Sequence, residues 1–303
     1  MRIVLLSGGD SDEAPISRRS GAAVAAALES HPHRVETVAV DPADTPLRPD
    51  DFRDGDVLLN LLHGAYGEDG AVQQWAADHQ VCLTGCDAAS SALTFDKART
   101  RDRLRRRGVP TPAGFVAHAG DALPAERPYP LVVKPSCSGS SVGLSLVRSP
   151  ADWAAALAVA TPHGDAVVEE YLDGPEWSVT LLGTQPLPPI RVQTPSPLFD
   201  QTAKYASESS TFTPLPLDRA NAQPLCDLAV QAAEACGTRG LVRVDLRASD
   251  RDPDDLRVLE INTVPGMTER SLSPLAAMAA GMTLAELAWW MVDDARQRAA
   301  DFV

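Results

Sequence analysis

Short, wholly apolar runs alternate along the chain with longer amphipathic ones, the pattern of an α/β protein. Met1 to Leu6 is apolar and ends at Ser7, Gly8 and Gly9, after which SRRSGAAVAAALES has helical character. Val35 to Val40 predicts a second strand, and DVLLNLLH a fully buried third that delivers His63 to its end. The glycine-rich GAYGEDG leads into a helix over Val72 to Asp78. Ligands of open parallel sheets gather beyond the carboxyl ends of the strands. That rule singles out the loop with Ser11 and Glu13 and the loop that starts at His63. From Asp87 the pattern predicts one long helix to about Arg107, with Lys97 inside it.

Beyond Pro110 and Pro112 strands dominate. YPLVVKPS carries Lys134, and the serine-glycine loop SCSGSSVG joins it to LSLVR. Backbone N–H groups of such a loop can cover phosphates, although no GxxxxGK[ST] motif is present. A helix over Ala151 to Ala160 precedes DAVVEEYL, a strand that ends at Glu169, Glu170 and Leu172; with Glu176 beyond the turn it suits a base and ribose or, equally, an ordinary strand end. EWSVTLLG and LPPIRVQT pair as strands. The polar stretch from Pro195 to Phe212, about eighteen residues, is long for a structureless connection, and Lys204 and Tyr205 make it a candidate lid. A helix from Arg219 to Ala235 and a C-terminal helix from Leu284 to Ala300 follow, and Leu275 to Val292, interrupted by Glu286, predicts a surface or interface helix.

The stretch LRVLEINTVPGMTERS organises the candidate chemistry. Glu260 and Asn262 are two apart on a strand, so both side chains leave one face, where a carboxylate and an amide oxygen can hold Mg²⁺. LVRVDLRA presents Arg243 and Asp245 with the same spacing, and two adjacent strands would bring all four to one phosphate and magnesium site. A net charge of -14 argues against a nucleic-acid or anionic-membrane surface, so any phosphate must be met locally. The run Arg99 to Arg107, six arginines in nine residues, fits the cationic end of a helix closed by Gly108. Five cysteines without paired CxxC spacing, and an N-terminus without the form of a signal peptide, predict reduced thiols and a cytoplasmic protein. Cys137, inside the serine-glycine loop, is a reactive thiol or a small filler residue.

These residues resemble the D-alanine–D-alanine ligases of the ATP-grasp superfamily over essentially the whole chain. The motifs occur in order as SGGDSDEAPISRRSG, LLHGAYGEDG, TFDKART, VVKPSCSGSSVGLS, VEEYLDGPEWSV, AKY, LVRVDL and LEINTVPGMTERSL. The resemblance implies an α/β (α+β) ATP-grasp fold of three domains: an N-terminal parallel α/β domain over 1–86, a central domain over 87–174, and a C-terminal domain over 175–303 with a lid at about 195–213. ATP would lie between the central and C-terminal sheets. It implies ATP and D-amino acids as small-molecule partners, two Mg²⁺ ions with Mn²⁺ as a substitute, a homodimer, and D-alanyl-D-alanine for peptidoglycan. By position, Glu13, Ser140 and Tyr205 match the family's hydrogen-bonded triad, and His63 lies near the first substrate. Lys97, Lys134 and Lys204 match its phosphate lysines. Glu169, Glu170, Tyr171, Leu172 and Glu176 match its adenine and ribose contacts. Asp245, Glu260 and Asn262 match its magnesium ligands, Arg243 and the Gly266 N–H its oxyanion site, and Ser271 and Leu272 the pocket for the second carboxylate. The chain departs from the family at Gln201 and Thr202 before AKY, and at Cys137 and Ser138 in the phosphate hairpin.

Overall fold

A computed structural model describes residues 1–29, 32–124, 128–139, 142–195, 210–249 and 252–300. Three sheets organise them. The first is parallel, in the order β2-β1-β3-β4, from β1 (Arg2–Gly8), β2 (Arg34–Val40), β3 (Val57–Asn60) and β4 (Cys82–Leu83). Helices α1 (Ala14–Ala27) and α2 (Ala71–Asp78) connect its strands. Both faces are covered, which is why β1 and β3 are almost continuously apolar. Ile3, Leu5, Val57 and Leu59 belong to one core, and Val4, Leu6, Leu58 and Leu62 to another.

The second sheet is antiparallel, in the order β5-β8-β6-β7, from β5 (Gly114–Ala117), β6 (Leu131–Pro135), β7 (Ser145–Val147) and β8 (Ala166–Glu170). Helix α5 (Trp153–Ala160) closes its core with Trp153, Ala156, Leu157 and Ala160. The third and largest sheet runs β12-β11-β9-β13-β14, with β10 (Gln185–Pro186) on β9. Its members are β9 (Glu176–Leu182), β11 (Ile190–Gln193), β12 (Thr211–Pro214), β13 (Leu241–Ser249) and β14 (Asp252–Asn262). Helix α6 (Ala222–Cys236) packs on the face formed by Val179, Leu181, Val242, Val244 and Leu246.

Two helical expectations are corrected. The long helix from Asp87 is two helices, α3 (Ala88–Phe95) and α4 (Lys97–Arg106), because Asp96 adopts an extended ψ of 102°. Its carboxylate accepts hydrogen bonds from Ala98 N, Arg99 N and Ser136 Oγ, so Asp96 is an N-cap and Lys97 begins a helix. The apolar stretch from Leu275 to Val292, expected as one surface or interface helix, is not continuous. It breaks into α7 (Leu272–Ala279) and α8 (Leu284–Ala300), bent by 102°, and Leu287, Ala288, Met291 and Val292 are buried in the core shared with β1, β3 and α1. Among the described residues no single helix is long and apolar enough to cross a membrane.

Candidate active site

The register of three strands builds one wall. Asp245 is the cross-strand neighbour of Ser178 on β9 and of Glu260 on β14, and Arg243 is the neighbour of Thr180 and Asn262. Directly opposed residues of a sheet point the same way, so Ser178–Asp245–Glu260 and Thr180–Arg243–Asn262 form two rows on the face away from α6. Arg243 grips Asp245 with Nη2 at 2.7 Å and Nε at 2.9 Å, and Ser178 Oγ donates to the same carboxylate at 2.7 Å. Asn262 Oδ1 accepts from Val264 N at 3.0 Å, which turns the chain into the loop bearing Gly266. Thr180 bonds Ser273 on α7 at 2.9 Å. The sequence pattern marked the four residues of β13 and β14 but not Ser178 and Thr180, whose spacing of two carried the same signal.

The opposite wall comes from loops. Glu13 precedes α1, and its carboxylate lies so close to Gly139 of the β6–β7 loop that a Cβ there would overlap it. His63, 4% exposed, has Nδ1 at 3.5 Å from Glu68 Oε1 and Nε2 at 3.4 Å from Ser20 Oγ. Ser20 Oγ also accepts from Met267 N at 3.1 Å, so one hydroxyl ties His63 to the loop that bears Gly266. Burial pushes the Glu68 carboxyl up, opposed by its hydrogen bond with His63. Asp69, by contrast, accepts from Tyr66 N and Ala71 N as an acid at the start of α2.

Between the walls lies a cleft of about 1040 Å³, partly open to solvent, lined by Glu13, His63, Lys97, Gly139, Arg243, Glu260, Asn262, Gly266, Ser271 and Leu272. Lys97 donates to Ser138 O and stands 3.8 Å from Glu260. Ser271 caps α7 and shares a hydrogen bond with Thr268, and Leu272 is buried. Lys134 lies beside the cleft with Nζ 2.7 Å from Glu169 Oε2. Glu170 accepts from Ala113 N, Tyr171 N donates to Pro130 O, and Leu172 is buried at the end of β8. Glu176 pairs with Arg247 at 3.3 Å, and the guanidinium of Arg247 lies 5.1 Å from the ring centre of Tyr171. Ser140, Lys204, Tyr205, Gln201 and Thr202 lie outside the described residues.

A family model described as "D-ala D-ala ligase C-terminus" matches residues 117–293, more than half of the chain. The chain belongs to the D-alanine–D-alanine ligase family. A D-alanine–D-alanine ligase of Alcanivorax borkumensis is 39% identical over 98% of this chain and 94% of its own length. One of Halorhodospira halophila is 40% identical over 94% and 93%. The crystal structure of the Bacillus anthracis D-alanine–D-alanine ligase complexed with ATP superposes with a TM-score of 0.84, at 27% identity over 100% of this chain and 99% of that one. The fold is therefore that of this ATP-grasp family.

Two members of the site escaped the sequence reading. Arg101, in the arginine run read as a helix end, is 6% exposed, with Nε 3.3 Å from Glu169 Oε1 but out of line for a hydrogen bond. Burial pushes its pKa down, opposed by Glu169. The signal was periodicity: Lys97, Arg101 and Leu104 share a helical face, and the last two are buried. Arg247 was the other, two residues beyond Asp245 on the face that the ligase pattern already marked. Arg103, Arg105 and Arg106 do occupy the last turn of α4, as a helix end requires. Cys137 is exposed, but its thiol is pushed up by desolvation, the opposite of activation.

Proposed function

We propose that the chain joins two D-alanine molecules to D-alanyl-D-alanine, using ATP to convert the first into an acyl phosphate. What carries this reading is the meeting in one cleft of a substrate-side carboxylate, Glu13, with a lysine and arginine pair, Lys97 and Arg243, and with the Ser271–Leu272 helix start. Glu13 receives the ammonium of the first amino acid, with His63 beside it. The carboxylate of that amino acid attacks the γ-phosphorus, ADP leaves, and Lys97, Lys134, Lys204 and Arg243 offset the charge of the transferring phosphoryl group. Asp245, Glu260 and Asn262 are two carboxylates and an amide in cross-strand register, a hard-oxygen set suited to Mg²⁺ or Mn²⁺. Two such ions, when bound, would supply neutralisation of phosphate charge. Glu169 to Leu172 and Glu176 take the adenine and ribose.

The second amino acid, its carboxylate at Ser271 and Leu272, attacks as a free amine. Ser140 and Tyr205 orient it and relay its proton, and the Lys204–Tyr205 loop excludes water from the acyl phosphate. Arg243 and the Gly266 N–H stabilise the tetrahedral oxyanion before phosphate departs. The product serves peptidoglycan synthesis in the cytoplasm, and the enzyme acts as a homodimer, as the family resemblance implies. The test is phosphate release from ATP and Mg²⁺ with D-alanine, L-alanine, D-serine and D-lactate singly and in pairs, with products identified by mass. D-Alanyl-D-alanine in step with phosphate supports the reading. Release only with another pair moves the substrate assignment, and no release with any pair overturns the reading.

A further inference from the structure

Lys97 and Arg101 stand one turn apart on α4 and leave the same face of the helix. Lys97 reaches toward Glu260, whereas Arg101 ends against Glu169, itself only 2% exposed. The second oxygen of Glu169 takes the Lys134 ammonium at 2.7 Å, and Lys134 Nζ also lies 3.4 Å from Leu259 O. Two cations therefore share one carboxylate where α4, β6 and β8 meet.

A buried Lys134–Glu169 pair alone would be neutral, and its lysine would be held by its own carboxylate. With Arg101 in place the cluster carries one surplus positive charge, in surroundings where charge is weakly screened. We propose that Arg101 is a positioning residue of the nucleotide site: it neutralises Glu169, so that the charge of Lys134 stays available to the phosphates of ATP. This inference rests on the ATP reading above. The 3.3 Å approach without an aligned hydrogen bond suits an action through charge, which a lysine at the same place can reproduce.

The experiment measures by calorimetry the affinity for the β,γ-imido analogue of ATP with Mg²⁺ and, in parallel, for adenosine. It needs no D-alanine, so it is independent of the ligation chemistry. Arg101→Gln should weaken the triphosphate roughly tenfold or more beyond any change in adenosine. In turnover, KM for ATP should rise more than kcat falls. Arg101→Lys should restore most of the loss. The double variant Arg101→Gln/Glu169→Gln, whose cluster again carries one positive charge, should keep the wild-type ratio of triphosphate to adenosine affinity. Equal weakening of both ligands, no weakening of either, or a double variant that loses the wild-type ratio of triphosphate to adenosine affinity overturns the inference. If Arg101→Gln does not fold, the double variant, free of both buried charges, decides by that same comparison. Wild-type protein that binds neither ligand overturns the ATP reading and this inference with it.

Discussion

The two walls of the cleft are built in different ways. The wall of β9, β13 and β14 is set by strand register, so that Ser178, Asp245 and Glu260, and likewise Thr180, Arg243 and Asn262, are aligned by the backbone ladder itself. The wall of Glu13, Ser20, His63 and Glu68 has no ladder. It is held by side-chain contacts between distant parts of the chain, of which Met267 N to Ser20 Oγ spans 247 residues. A ladder keeps its geometry when one side chain is changed, because many backbone bonds share the work. A wall of loops depends on each of its few bonds. Substitutions on the ladder wall should therefore alter chemistry first, and those on the loop wall should alter geometry first.

The sharpest probe of the ladder wall is Arg243→Ala. Turnover should fall by about 10²–10³, while ATP binding is largely kept and β13 stays paired. Thermal unfolding should show a smaller loss, since Asp245 keeps Ser178 Oγ as a donor. Full turnover in this variant would remove Arg243 from the oxyanion site. Gly139→Ala tests the contact between two loops of the loop wall. The added methyl meets the flexible end of Glu13, not backbone, so stability should change little while kcat/KM for the first amino acid falls roughly tenfold. A variant that is destabilised with its kinetics intact would break the comparison.

Ser20→Ala probes the loop wall itself. It removes the bond to Met267 N and the partner of His63 Nε2, with an expected loss of about 1–2 kcal/mol in unfolding free energy and a raised KM for D-alanine. Unchanged stability and KM would mean that the loop wall is held by other contacts. The smallest effect belongs to Asp56, far from the cleft. Burial alone would raise its pKa, but hydrogen bonds from Arg2 (Nε at 3.0 Å) and Arg53 N outweigh it and hold the carboxyl below its ordinary value. A depressed folded-state pKa contributes stability that is present above the unfolded value of about 4 and is lost as pH falls through the folded one. Acid titration of the unfolding midpoint should thus be shallower below about pH 4 in Asp56→Asn than in the wild type. Parallel curves would exclude Asp56 as a source of the acid limb.

Much of this site was legible because strand periodicity is local. The spacing of two in Arg243 and Asp245, and in Glu260 and Asn262, states that each pair shares a face, and adjacency of β13 and β14 needed only that the two strands meet. His63 at the end of an apolar run was legible for the same reason. The division of α3 from α4 was half legible: Asp96 is a good N-cap residue, but Asp also occurs within helices, and only Ser136 Oγ, just past β6, shows which applies. Arg101 was hidden because charge composition masked its helical face. Nothing along α8 said that Leu287 and Met291 face a sheet whose strands lie between Arg2 and Leu83.

Neighbours a few residues away fix the family motifs, most of the strands and helices, and the direction of each chemical side chain relative to its own element, so these could be read along the chain. Packing of distant segments alone sets Glu13 against Gly139, brings Met267 N to Ser20 Oγ, and gives Arg101 and Lys134 a shared Glu169. Those contacts join segments whose separation along the chain exceeds any periodicity, and their geometry exists only once the cores have packed.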